Sequence, residues 1–141
     1  MNSSKKQKLG FRRQRRTGAT AVEFALVAPI FFMFIAASFE FSRLNVIRHT
    51  ADNAAYEAAR KAIVPGATSA EAVTKANDTL RVVNTVGAVV TVNPTTLGPD
   101  TEEVTVTVNV PMDQNGWIIP RLIGSRTIQS SSTLQTERTG Q

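Results

Sequence analysis

No cysteine occurs among the 141 residues. That excludes a disulfide framework, a thiolate zinc site and a cysteine nucleophile. Stability has to come from packing and from contacts with a membrane or with neighbouring subunits. Histidine is almost as scarce. His49 stands alone in a helical pattern, with no second ligand or nucleophile at meaningful spacing, and reads as a surface or interfacial helix residue. The acids Asp52, Glu57, Glu102 and Glu103 are scattered, the last two solvating the start of a strand. No glycine-rich phosphate loop follows a strand, and internal repeats and metal-spaced clusters are missing. These gaps argue against an enzyme, and neither a cofactor nor a metal is expected.

Acids are also missing from the first 18 residues, where Lys5, Lys6, Lys8, Arg12, Arg13, Arg15 and Arg16 contribute +7. The formal net charge is +5, so the remainder sums to −2. The basic character belongs to an arm and not to the folded body. Such an arm is able to attract phosphate through charge density alone. Phe11 is its one aromatic, however, and stacking on bases needs aromatic interleaving. Topogenesis accounts for the arm without nucleic acid, and none is expected as a partner.

What the sequence has in strength is an apolar run. FALVAPIFFMFIAASF, from Phe24 to Phe39, carries no charge. With Ala19–Glu23 and Glu40-Phe41 added, the segment is long enough to cross a hydrocarbon core of ~30 Å at ~1.5 Å per residue. A cleaved signal peptide is the rival reading. The run is rich in Phe and Ile up to Phe41 and then continues as a helical pattern, which favours a retained helix. Seven cations precede it, while Glu40 and Arg43 balance after it. The positive-inside bias puts the N-terminus in the cytoplasm and the body on the other side. Pro29 removes one backbone hydrogen bond within the run and bends the helix.

Beyond the run, Leu44, Ile47, Ala51, Ala54, Ala55, Ala58 and Ala62 recur near the 3.6-residue period. Asn53, Tyr56, Glu57 and Arg60 lie away from this stripe, and Glu57 and Lys61 form an i,i+4 pair. Pro65-Gly66 ends the element. One helix from Ala19 to Ile63 measures ~67 Å at ~1.5 Å per residue, about twice the bilayer core. Its outer half has to bury the alanine stripe, either on the protein's own sheet, the favoured partner, or on a neighbouring subunit. Thr68-Ser69-Ala70-Glu71 reads as a capping box. It opens a second helix to about Val82, with Ala72, Val73, Ala76 and Leu80 on its apolar side.

The period then changes to two. Val86, Ala88, Val90 and Val92 alternate with Gly87, Val89 and Thr91, and Val104, Val106, Val108 and Val110 with Thr105, Thr107 and Asn109. Asn93-Pro94 and Leu97-Gly98-Pro99-Asp100 break the chain between them, which predicts a hairpin with a long loop. A weaker, Ser-rich third strand covers Ile128 to Leu134. Gly116-Trp117-Ile118-Ile119-Pro120 is an apolar loop, with Trp117 expected to plug the sheet's edge. The fold class is therefore α+β: a long N-terminal transmembrane helix extending into a small domain with a second short helix and a three-stranded antiparallel sheet.

The junction Gly18-Ala19-Thr20-Ala21-Val22-Glu23-Phe24, opening an apolar helix after a basic leader, resembles the site cut by type IV prepilin peptidases. The longer stretch GATAVEFALVAPIFFMFIAASFEFSRL resembles the TadE-like minor pilins or pseudopilins of the Tad (Flp) pilus. The likeness runs well from Gly18 to about Ala62, and the sheet half, with its Ser/Thr-rich last strand ending near Glu137, matches in general pattern. The resemblance implies processing at Gly18 and Ala19, with Glu23 and Phe24 as the acid-aromatic pair, the scissile bond following the glycine and the acid standing five residues after it. It also implies assembly through Glu23, whose proposed partner in pilins is the N-terminal amine of a neighbouring subunit.

Residue by residue, the physics agrees with that expectation. Gly18 lets the backbone lie extended in a protease cleft. Glu23 is costly within a span, about 2.5–3.5 kcal/mol for an acid such as Asp at a helix centre and less near an interface, so it calls for a partner. Removing 18 of 141 residues leaves 123, too many for a major pilin that is little more than one helix. The expected organisation is a basic cytoplasmic leader over 1–18, a transmembrane helix over 19–41 and an extracytoplasmic pilin-like domain over 42–141. The expected partners are the bacterial inner membrane, a prepilin peptidase and other pilin subunits. The alternative is an uncleaved single-pass envelope protein that anchors or assists the secretion machinery.

Overall fold

A computed structural model describes residues 17–118, 120, 124 and 126–136. The leader cations Lys5 to Arg16, Ile119 and the expected strand end at Glu137 lie outside the described residues. The chain forms helices α1 (Thr17–Ala62) and α2 (Ser69–Arg81), then strands β1 (Val89–Asn93), β2 (Glu103–Pro111) and β3 (Thr127–Gln135). The expected class, two helices and a three-stranded antiparallel sheet, is the observed one. The described residues fall into two compact units that divide between Ile35 and Ala36.

In the first unit α1 is exposed almost all round, with Val22, Phe24, Leu26, Val27, Ile30 and the aromatics at 31, 32 and 34 facing outward. The Phe31 and Phe32 rings meet edge to face at 5.8 Å. The helix runs unbroken through Pro29, and α1 is long and apolar enough to cross a membrane. A helix apolar all round is one that lies in lipid or in a large core.

The second unit is a two-layer body. Ile47, Ala51, Ala54, Ala55, Ala58, Ala59 and Ala62 of α1 share one buried cluster with Ala72, Ala76 and Leu80 of α2 and with Val92, Val104, Val106, Val108 and Val110 of the sheet. Small side chains from the helices thus meet branched ones from the strands, the close packing that interiors require. The stripe buries on the protein's own sheet, as favoured, and Ala59 joins it. Gly66 adopts a φ of +81° just past α1, where glycine is the residue that bears a left-handed backbone. Thr68 caps α2, its Oγ1 accepting from the Glu71 N–H at 3.3 Å. The Glu71 carboxylate turns to Lys61 at 3.6 Å. Lys61 therefore pairs across to α2 and not with Glu57.

The sheet order is β1-β2-β3, antiparallel throughout. The even-numbered residues of β2 are buried and the odd-numbered ones face out. The outer face carries Thr91, Thr105, Thr107, Asn109, Gln129, Ser131 and Thr133 in register. Across it the Thr105 and Thr133 hydroxyls bond at 2.8 Å and those of Thr107 and Ser131 at 3.2 Å. On the inner face Ser130 is buried and donates to Asp52 of α1 at 2.5 Å, which reconciles a hydroxyl with a valine-lined interior.

β1 begins three residues later than the alternation predicts. Gly87 takes a φ of +68°, and the Asn115 side chain captures Val86, accepting its N–H at 2.9 Å and donating to its carbonyl at 2.8 Å. The same amide nitrogen donates to the Pro111 carbonyl at 2.8 Å. A buried side-chain amide thus takes the place of a strand residue.

Candidate functional site: the Gly18 junction and the Glu40 loop

The sequence directs attention first to the junction. Gly18 lies in the first turn of α1. A Cβ built on it meets nothing within 4 Å among the described residues, and its φ is not left-handed. Glycine inside a helix costs roughly 0.5–1 kcal/mol relative to alanine, and the fold offers neither a close approach nor a turn in return. Ala19 follows on the exposed helix surface, and Glu23 and Phe24 lie one turn on. Glu23 is exposed between Val22 and Phe24, both apolar and exposed. It has no ion-pair partner among the described residues. An acid on an otherwise greasy surface is stable in lipid only when something neutralises it.

A second constellation lies in the body, and sequence reading passed over it. Glu40 is the first charge after the apolar run, yet it is only 5% exposed. Its Oε1 accepts from the Trp117 N–H at 2.6 Å and from the Ile118 N–H at 2.8 Å, while Oε2 accepts from Ile118 at 2.9 Å. Backbone donors aimed at a carboxylate are charge-assisted and stronger than neutral bonds. The loop is shaped for this approach. Asn115 and Gly116 both donate to the Met112 carbonyl, at 3.1 and 2.8 Å. A Cβ at Gly116 would stand 2.9 Å from Glu40 Oε1 and 2.7 Å from Pro120 Cγ, so any other residue there displaces the carboxylate or the proline ring. Trp117 does not plug the sheet's edge as expected. The residue is 73% exposed, and its ring lies under the Arg43 guanidinium, 5.8 Å from the ring centroid, within cation–π range. The backbone of the loop is what is held, which frees the indole to face outward.

Glu40→Ala should therefore loosen this loop while leaving the sheet in place. Two backbone donors lose their acceptor, at about 1–3 kcal/mol each where water does not replace it. Amide hydrogen exchange at Trp117 and Ile118 should accelerate by about tenfold or more, with β2 amides unchanged. Unchanged exchange at both positions would show that the carboxylate does not hold the loop.

Among the described residues no group of three or more His, Asp or Glu side chains is placed to hold a metal. His49 is exposed on α1. Of the acids set aside as scattered, Asp52 bonds Ser130, and Glu102 and Glu103 are exposed where β2 starts.

No curated protein and no solved structure matches the chain. Residues 18–60 do match a family model, that of the TadE-like protein. The match opens on Gly18 and closes in the alanine face of α1, short of α2 and the sheet. Residues 18–60, the greater part of the long helix, are thus similar to the TadE-like protein.

Proposed function

We propose that this chain is a minor pilin or pseudopilin of a Tad-type pilus, inserted in the inner membrane with its basic leader inside. A prepilin peptidase cuts between Gly18 and Ala19, and the chain then packs helix to helix with other pilin subunits, in or beside the fibre, in support of surface attachment. The leader is 1–18, the span 19–41 and the extracytoplasmic domain 42–141. The observation that carries this reading is Gly18 itself, a helical glycine that no described residue crowds, standing at the first residue of the TadE-like match. Recognition by another molecule supplies the reason the fold lacks. Lys5, Lys6, Lys8, Arg12, Arg13, Arg15 and Arg16 hold the junction on the cytoplasmic face, where an integral-membrane peptidase reaches it.

Glu23 takes the assembly role. Cleavage creates an amine at Ala19, and a neighbour's amine beside Glu23 neutralises both charges in a low-dielectric setting, where an opposite charge matters most. Glu23→Gln keeps the shape and removes the charge. It should lower recovery in sheared pili by about tenfold or more, the size of a lost pairing of ~1.4 kcal/mol or above, with membrane insertion intact. Equal recovery of wild type and variant would favour an uncleaved envelope anchor that assists the machinery without joining it.

A further inference from the structure

The geometry points to a second membrane contact: the Gly116–Ile118 loop is an interfacial anchor that seats Trp117 among lipid headgroups at the outer end of the span. This rests on the membrane-spanning reading proposed above. Glu40 directly follows the apolar run, and two successive amides of the loop are bonded to its carboxylate. The indole is therefore fixed at the level of the run's last residues. Phe39 and Phe41, either side of Glu40, are exposed, as are Trp117 and Ile118. Four apolar side chains, three of them aromatic, thus face outward at one level, beside the cation Arg43.

A bilayer interface matches each part of this arrangement. Tryptophan concentrates there because its ring is apolar at one end and carries an N–H donor at the other. An arginine at the same level lays its stem along apolar surface and keeps its guanidinium near phosphate. The buried Glu40 also gains a reason. A bare carboxylate at the margin of the hydrocarbon is costly, and the loop's N–H groups satisfy it while covering it. Glu40 is accordingly a positioning residue, acting through the loop backbone on the indole. Continuity of these side chains with the membrane-crossing run sets the lipid surface apart from a protein partner as the occupant.

Trp117 is the only tryptophan, so its fluorescence reports on this loop alone. The full chain is reconstituted into vesicles of phosphatidylethanolamine and phosphatidylglycerol, with lipids brominated either near the headgroup or deep in the acyl chain. Blue-shifted emission, with stronger loss of intensity from the shallow bromines than from the deep ones, is expected. E40Q should shift the emission to the red and weaken the lipid quenching, and unchanged spectra would remove Glu40 from the anchor. A W117F/F32W protein carries the control. Its indole, in the middle of the run, should be quenched most by the deep bromines. If that control is quenched while Trp117 emits as in water, the span stands and the anchor is overturned. Blue-shifted Trp117 emission untouched by brominated lipid overturns it as well, since a copy of the chain then covers the ring. An unquenched control removes the span, and the anchor falls with it.

Discussion

On the processing proposed above, Gly18→Val should leave the chain at 141 residues where the wild-type chain is expected at 123, the 141 less the 18 of the leader. The effect is all-or-none for two reasons. A side chain at the residue before the proposed scissile bond would stand where a peptidase has to approach the backbone, and glycine leaves that space open. The described fold does not object to the replacement, because a Cβ at this position meets nothing within 4 Å among the described residues. Loss of cleavage is then assignable to recognition and not to a broken helix. Intact-mass spectrometry of the membrane fraction reads the result, with a peptidase-deficient strain as reference. A wild-type chain that still begins at Met1 in peptidase-competent cells would sink the processing claim. The proposed cleavage would also change the sign of the protein, from +5 to −2, so the two forms should separate on charge as well as on mass.

Val106→Asp should abolish the folded body, whereas Thr107→Asp, its neighbour on the same strand, should fold. Val106 is fully buried at the middle of the central strand, opposite Val92 on one side and Ser132 on the other. The substitution forfeits about 1.5–3 kcal/mol of apolar burial and puts an unpaired carboxylate among valines, at a further cost of several kcal/mol. Domains are typically stable by ~5–15 kcal/mol, so the sum takes most or all of the margin. Thr107 points to the other face, half-buried at most, and loses one hydroxyl bond to Ser131. Thermal melting by circular dichroism and limited proteolysis, both on the full chain in detergent, compare the two. A Val106→Asp protein as resistant as wild type would mean that the valine face is not the core.

Much of this architecture was legible because it is written in local periods. The alternation Val104, Val106, Val108, Val110 fixes which face of β2 is buried, and the run Leu44, Ile47, Ala51, Ala54, Ala55, Ala58, Ala62 fixes the stripe of α1. Thr68 was readable as a cap for the same reason, since donor and acceptor lie three residues apart. The junction was legible through its residue types, a basic leader, a glycine and a lone acid at fixed spacing. What escaped is what depends on distant partners. Glu40 reaches the amides of residues 77 and 78 positions away, and Asp52 reaches Ser130 across 78. A backbone N–H has no residue type, so no motif announces that Trp117 and Ile118 will be donors.

The remaining corrections have the same origin. Lys61 had two carboxylates within reach of its flexible stem, and the turn between the helices brings Glu71 to it. Trp117 is expected to cover apolar surface because large rings usually do, yet the Glu40 bonds hold its loop through the backbone and leave the ring facing outward under Arg43. β1 was read from Val86 because the alternation begins there, but a left-handed glycine and a side-chain amide intervene. In each case tertiary contact overrode a sound local expectation.

The hydroxyl and amide groups lining the outside of the sheet have a consequence for crowding. Such short polar side chains bond to one another in register and still keep capacity for water. A face of this kind offers neighbouring molecules little apolar area beyond Val89 at its edge, so its groups lose little by staying hydrated where copies crowd together.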